Sequence, residues 1–465
     1  MLKNPRNSCI QDTMFPHHRH YHEHLSKNLA RLFKKRDVGD LKIDLWNAFA
    51  DSGLMGINDH DCSALPRILP TSYLPVIERT SRDLTEALMR ILSLPTGAIR
   101  ELLPLTPVSE FLIKEIGVLK HRRQRITGSM RFDMAIVGPP GPHNPPKLME
   151  VNEIGFDGTG RSSFIQETIL RLFPALARKV ICFDTALSEV RNMRRMGKKF
   201  VRFQYESYNW EEEVILAKAK KVGLDIRLVL PTAFKVKPDE DCTLLSRERV
   251  WRDGDAIRIG SDPRPPDAFQ VAYSFELKDF KEAPGFFRAL TRSTTPQYSP
   301  FITGLIAPKT ILTVLADQKI LTKLIGKSRA ERLAATIVPA HLLAGHEAAT
   351  LQHPSRKVLK FADGMGGEQV YVGKKIPAQL KRIPARDHRY WVVQDRIDLN
   401  TIDVDGFLSR RRRVVADLGV FIHYDWDGAR FTNFSVGGFI TRATNRGFKV
   451  NVSGGGIQVP VMFEL

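Results

Sequence analysis

The chain reads as an α+β protein, and three observations carry that expectation. Up to about residue 120, apolar positions recur at three- and four-residue spacing, the period of helices. From Phe200 onward, short apolar runs alternate with helical ones, as in a small Rossmann-like layer. Beyond residue 325, most runs are strand-like and joined by glycine-rich connections. The expected organisation is a helical N-terminal region over 1–120, a first α+β segment over 121–195, the Rossmann-like layer over 196–300 and a last segment over 301–465.

Composition sets the class. A content of 43% hydrophobic and 26% charged residues is that of a soluble globular protein. No run of about 18 apolar residues is present to cross a membrane, and the N-terminus lacks the apolar stretch of a signal peptide. Cys9, Cys62, Cys182 and Cys242 have no CxxC spacing, so neither a disulfide framework nor a zinc site is expected, and the expected location is the reducing cytoplasm. The net charge of +19 is spread over clusters at Lys34 to Arg36, Lys120 to Arg125, Arg191 to Lys199 and Arg410 to Arg413. It favours anionic partners (ATP, a carboxylate, nucleic acid) without choosing among them, and solvated helix faces explain much of it equally well.

In the N-terminal region His17, His18, His20, His22 and His24 invite a metal reading, but no carboxylate–histidine pattern accompanies them. Helices are expected over 25–33, 76–94 and 108–119, separated by prolines at 66, 70, 95, 104 and 107. Next, Arg131 to Val137 alternates and then turns apolar, a proline-rich loop follows, and Lys147 to Ile154 reads as a return strand. Residues two apart on a strand share a face, so Arg131 pairs with Asp133 and Glu150 with Asn152. If the strands pair, two carboxylates, an amide oxygen and a guanidinium converge, a set of hard ligands suited to Mg²⁺ beside phosphate. A solvent-facing hairpin side explains any one of these residues as well.

Helices over 161–178 and to about 196 precede the α/β run: strand 200–203, helix 211–222, strand 225–230, a hairpin over 249–259 turning at Asp253–Gly254, and strand 269–273. No glycine fingerprint follows the first strand, so dinucleotide binding is unsupported. A helix over 310–325 contains Asp317 and Lys319. Val358 and Leu359 lead into Lys360 on a buried strand, the loop Gly364, Gly366 and Gly367 follows, and Gln369 to Val372 returns. Glycines let backbone N–H groups approach phosphate oxygens and an ammonium neutralises them. An ordinary hairpin with a surface lysine fits this stretch equally. Tyr390 to Ile397, with Gln394 and Asp395 inside it, reads as a strand ending in a polar hinge able to face adenine. After a strand from Val414 and a turn over 425–429, Gly437–Gly438 with Arg442 and Asn451 with Gly454 to Gly456 close the chain.

Together these pieces resemble a circularly permuted ATP-grasp enzyme of the glutathionylspermidine synthase-like kind. Arg131-x-Asp133 and Glu150-x-Asn152 resemble its Mg²⁺ motifs, and Asp317-x-Lys319 the segment of its first nucleotide lysine. Val358-Leu359-Lys360 with its loop resembles the phosphate-covering hairpin, Val393-Gln394-Asp395 the adenine hinge, and Arg442 with Asn451 the C-terminal signature. The resemblance spans roughly Gly128 to the C-terminus and implies a carboxylate–amine ligase using ATP and Mg²⁺, with an acyl phosphate between. It implies Asp133, Glu150 and Asn152 as metal ligands, and Arg131 and Arg442 as stabilisers of the transferring group. Lys319, Lys360, Gly364, Gly366, Gly367, Gln394, Asp395, Ile397 and Asn451 are implied around the nucleotide. The implied partners are a small or peptide carboxylate and an amine, with no membrane. A phosphotransferase lacking the amine, and a basic nucleic-acid binder with a vestigial ATP site, are the competing readings.

Overall fold

The structure is a computed structural model that describes residues 21–24, 26–34, 38–51, 62–121, 125–153, 158–204, 211–234, 245–262, 264–272, 277–364, 367–405, 411–444, 450 and 456–465. Asn451, Gly366, Gly454 and Gly455 lie outside them.

The N-terminal region is mainly helical. Its longest helix, Leu74–Ser93, carries a proline in the first turn, where a missing N–H costs nothing, and stops ahead of Pro95. Ile77, Leu84, Leu88 and Ile91 form its buried stripe. The region also contributes a strand that helical periodicity did not announce: β1 (Arg67–Pro70), four residues that follow Pro66 and end on Pro70, which adds in parallel to the C-terminal strand β20 (Ile457–Glu464). His22 is held there too, its ring 3.1 Å from Thr401 Oγ1.

β2 (Ile126–Ala135) is the pivot of a 14-stranded sheet, and all ten of its residues are buried. It returns as β3 (Lys147–Asn152), and β4 (Val180–Ile181) is a short edge piece on β20. β5 (Lys199–Phe203), β6 (Asp225–Pro231) and β7 (Leu245–Glu248) run parallel, β5 and β6 being joined through the helix Glu211–Lys221. β8 (Val250–Asp253) and β9 (Ala256–Ile259) make the separate hairpin, with Gly254 at φ 56° in its turn. β10 (Ala268–Val271) and β11 (Gln297–Tyr298) link β5 to β2, all in parallel. The parallel strands therefore continue the main sheet through β11.

A second, four-stranded antiparallel sheet holds β12 (Ala340–Leu342), β13 (Lys357–Phe361), β14 (Val370–Val372) and β15 (Trp391–Asp395), in the order β12-β15-β13-β14. Leu343, Leu359, Ile376, Trp391 and Val393 pack one face of it as a small core of its own. The chain then rejoins the main sheet with β16 (Thr401–Asp405), β17 (Arg411–Ala416), β18 (Leu418–Trp426) and β19 (Phe431–Thr444). β18, rich in aromatic and β-branched residues, is buried throughout and covers one whole edge of β2. The turn after it is tighter than the sequence suggests. Asp427 accepts the Ala429 and Arg430 amides, each at 2.9 Å, while Asp425 stays in the strand, fully buried.

The other edge of β2 is divided. β11 meets it at Thr127, and β3 takes over from Arg131. The parallel half thus ends where the β2–β3 hairpin begins, and there the small sheet packs against β3: the Lys360 ammonium and the Gln394 amide donate to the carbonyls of Met149 (3.1 Å) and Leu148 (3.4 Å). The helix expected over 310–325 is two helices, Ile311–Ala316 and Gln318–Ile325. Asp317 breaks it by capping the second, accepting the Lys319 and Ile320 amides at 2.8 and 3.1 Å.

Candidate functional site

The junction of the two sheets encloses a cavity of about 140 Å³. The antiparallel register of β2 and β3 sets Arg131 opposite Asn152 and Asp133 opposite Glu150, which is the convergence that pairing of these strands requires. On the small sheet, Gln394 lies opposite Val358 and shares a face with Lys360, whereas Leu359 and Val393 turn to the small core. The alternation of one strand pair therefore supplies both an anchored polar face and the core that supports it.

Lys360 is buried and donates to Gln394 Oε1 at 2.7 Å as well as to Met149. Burial pulls its pKa down to about 8; Glu150 and Asp133 oppose the shift and Lys309 adds to it. Lys309 is the residue the sequence reading missed. It lies just ahead of the helix Ile311–Ala316, is buried, and reaches Glu150 Oε1 at 2.9 Å and the Gly364 carbonyl. Lys319, expected in this role, is exposed on the helix Gln318–Ile325 and does not line the cavity. Only the short segment before the helix, Ala-Pro-Lys-Thr (307–310), could have pointed to 309, and it has no strand or glycine pattern to mark it.

Asp133 is 1% exposed, and both of its oxygens are occupied. Arg131 Nε and Nη2 approach them at 2.7 and 3.2 Å, Asn152 Nδ2 at 3.0 Å and Arg442 Nη2 at 2.8 Å. Burial favours the neutral acid here, but Arg131 and Arg442 outweigh it and hold the carboxyl at about 2. Arg442 is anchored in turn by Asp417, also fully buried and also missed by sequence, at 2.5 Å from Nη2 and 2.9 Å from Nε. Burial pushes Asp417 up, against the pull of Arg442. At Glu150, burial is outweighed by Lys309 and Lys360, and its pKa is lowered.

This donor set decides which residues fit a divalent cation. Asp133 does not, because its lone pairs are spent on two guanidiniums and an amide; it is an anchor for arginines. Glu150, with only Oε1 committed to Lys309, and Asn152, whose amide nitrogen alone is engaged, leave one oxygen each, two apart on one strand face. Two hard oxygens completed by phosphate and water are what Mg²⁺ accepts.

At the other end of the cavity, Val358, Val370, Val372, Ile397, Leu399 and Val450 form an apolar wall. Asp395 closes its rim, 2.5 Å from Lys357 Nζ. The Asp395 and Arg396 amides are taken by the Pro339 and Arg356 carbonyls, so Ile397 is the next hinge residue along the wall. Of the glycine loop, Gly367 lines the cavity at φ 73°, and a Cβ on Gly364 would meet the Glu368 carbonyl at 3.0 Å.

The family model of the eukaryotic glutathione synthase ATP-binding domain matches residues 4–457. A solved structure of a glutathione synthetase-like effector from Globodera pallida, in its apo form, superposes with a TM-score of 0.61. The superposition covers 91% of this chain and 96% of that one at 13% sequence identity, a likeness of fold. No curated protein matches the sequence. The matched family is that of glutathione synthase, where the motifs point to the glutathionylspermidine synthase-like kind. Motifs that bind phosphate and metal carry no information about the molecules being joined.

Proposed function

The chain belongs to the eukaryotic glutathione synthase ATP-binding-domain family, and from that premise we propose that it is an ATP-dependent carboxylate–amine ligase working through an acyl phosphate. The observation that carries this reading is a buried ion cluster at one cavity. Lys360, Arg442, Asp133 and Glu150 line it beside an apolar wall, and Lys309 and Arg131 pair with those two carboxylates from behind. The four cations outnumber the three carboxylates they pair with, Asp133, Glu150 and Asp417. The excess positive charge suits a phosphate chain, and the wall suits a purine.

In this mechanism Lys360 and Lys309 hold the phosphates, and Ile397 and its apolar neighbours hold the adenine. A substrate carboxylate oxygen attacks the γ-phosphorus and ADP leaves. The amine nitrogen then attacks the acyl carbon, loses its proton and expels phosphate. Glu150 and Asn152 would hold Mg²⁺, which when bound neutralises charge on the phosphates. Arg442, fixed by Asp133 and Asp417, and Arg131 are preorganised to face the transferring group, so little reorganisation is needed as charge moves. The loop through Gly364 and Gly367 excludes water that would hydrolyse the acyl phosphate.

The direct test is ADP release from Mg²⁺-ATP against pools of amino acids, peptides and polyamines, with product analysis. Release requiring both a carboxylate and an amine, with a new amide, supports the ligase. Phosphorylated acceptor without amide makes it a phosphotransferase instead.

Two further outcomes are expected. Lys309→Ala weakens ATP binding by about tenfold to a hundredfold, the loss of a charge-assisted contact, whereas Lys319→Ala changes it less than about twofold. Titration calorimetry on both variants decides this, and the reverse order would return the nucleotide lysine to 319. The pH dependence follows from Lys360. Below about pH 8 the free site is protonated and affinity is flat. Above it, phosphate must restore the proton, so ATP affinity falls by at most about tenfold per pH unit. Proton uptake on binding near pH 8, absent in Lys360→Arg, is the signature; binding unchanged between pH 7 and pH 9, to within about twofold, would contradict it.

A further inference from the structure

A second cavity, of about 420 Å³, opens at the opposite end of β2, where Thr127 meets β11. Thr127 and Asp133 are six residues apart on one strand, roughly 20 Å at about 3.4 Å per residue, so this cavity is remote from the nucleotide cavity. Its volume is that of a small-molecule site. Its wall is apolar where Leu290, Phe301 and Ile302 line it.

Two basic runs far apart in sequence, Lys120 to Arg125 and Arg191 to Lys199, meet here through Arg125 and Arg195. Both guanidiniums face Asp425, whose carboxylate is fully buried and also accepts from Thr127 Oγ1 at 2.7 Å. Arg125 engages it through both Nε (2.5 Å) and Nη2. Arg195 stands 3.7 Å away, an ion-pair distance too long for a hydrogen bond, so its donors remain available. The two side chains are 59% and 47% exposed, and together they exceed the one carboxylate by a full positive charge. Gln297 also lines the cavity, and its buried Nε2 has no hydrogen-bond partner. A buried donor left unmatched is unfavourable until an acceptor arrives.

We propose that this cavity is a binding site for a small organic carboxylate of the N-acyl amino acid type. The carboxylate sits on Arg195 and Arg125, a carbonyl oxygen accepts from Gln297 Nε2 once that amide turns from its buried position to the cavity it lines, and an apolar side chain packs on Leu290, Phe301 and Ile302. A bare inorganic anion leaves the apolar wall and Gln297 unused. A nucleic-acid backbone needs a row of charges, and the described residues lining this cavity offer one net charge at its mouth.

The experiment is calorimetric titration of the full chain with N-acetyl-leucine, using N-acetyl-leucinamide and acetate as controls. The expected Kd for the acid is on the order of a millimolar or tighter, with the amide and acetate each at least about tenfold weaker. Arg195→Ala, an exposed position with little bearing on folding, loses about tenfold, and Gln297→Leu about fivefold. Lys360→Ala leaves the affinity unchanged, because that residue belongs to the other cavity. Equal binding of acid and amide, undiminished binding in Arg195→Ala, loss of binding in Lys360→Ala, or no heat of binding at about ten millimolar each overturns the proposal.

Discussion

Asp133→Ala is expected to destabilise the fold by about 3–5 kcal/mol, the cost of removing one partner from a buried ionic cluster. The carboxylate serves Arg131, Arg442 and Asn152 at once, and the two guanidiniums are only 10% and 16% exposed. Solvent cannot replace what they lose. Arg442 keeps Asp417, so the deficit falls chiefly on the β2–β3 hairpin that carries Glu150. Urea unfolding with an unchanged m-value would register the loss as a shift in midpoint. The penalty is expected to be the same in Mg²⁺ and in chelator, because Asp133 stabilises through arginine. A loss below about 1 kcal/mol, or one seen only with Mg²⁺ present, would show that this carboxylate is a metal ligand after all.

Lys360→Met is expected to move activity and stability in opposite directions. An ammonium on the phosphates is a preorganised charge, and its removal should lower ADP release by about a hundredfold to a thousandfold. The same ammonium is costly to the empty fold. Its pKa falls from 10.5 to about 8 through burial, so at neutral pH the protein holds a charge that its surroundings disfavour. A linear apolar side chain of similar length relieves that cost, at most about 3 kcal/mol, less the hydrogen bonds to Met149 and Gln394. Between about pH 8 and the unperturbed value, the unfolded chain holds a proton that the folded site has released, so wild-type stability rises with pH there and the variant's does not. A variant that is both inactive and less stable would mean that Lys360 is a structural lysine.

How far the site could be read beforehand depended on the period of each segment. Strand alternation put Arg131 with Asp133 and Glu150 with Asn152, and the register of β2 and β3 places these pairs opposite one another. The same alternation marked Lys360 and Gln394, which meet at 2.7 Å. Lys309 and Asp417 could not be found this way. One precedes a helix and the other sits between two strands, and both act through partners more than 20 residues distant in sequence. Lys319 had the more conspicuous setting, inside an amphipathic helix beside an aspartate, but that aspartate caps the helix.

By itself, the amino-acid sequence determined most of the segments and their faces: the strands carrying Arg131, Glu150 and Lys360, which residues two apart share a side, and that a basic chain would favour anions. Those are local properties, set by backbone geometry and the spacing of apolar residues. The tertiary structure alone decided which faces meet. Long-range pairing joined the N-terminal strand to the C-terminal one and carried the parallel strands into the same sheet as β2. It set two arginines around Asp133, expected as a metal ligand, and a carboxylate's role follows from which charges surround it once water is gone. It also brought two distant basic runs to one buried aspartate, a convergence invisible to any reading of neighbours along the chain.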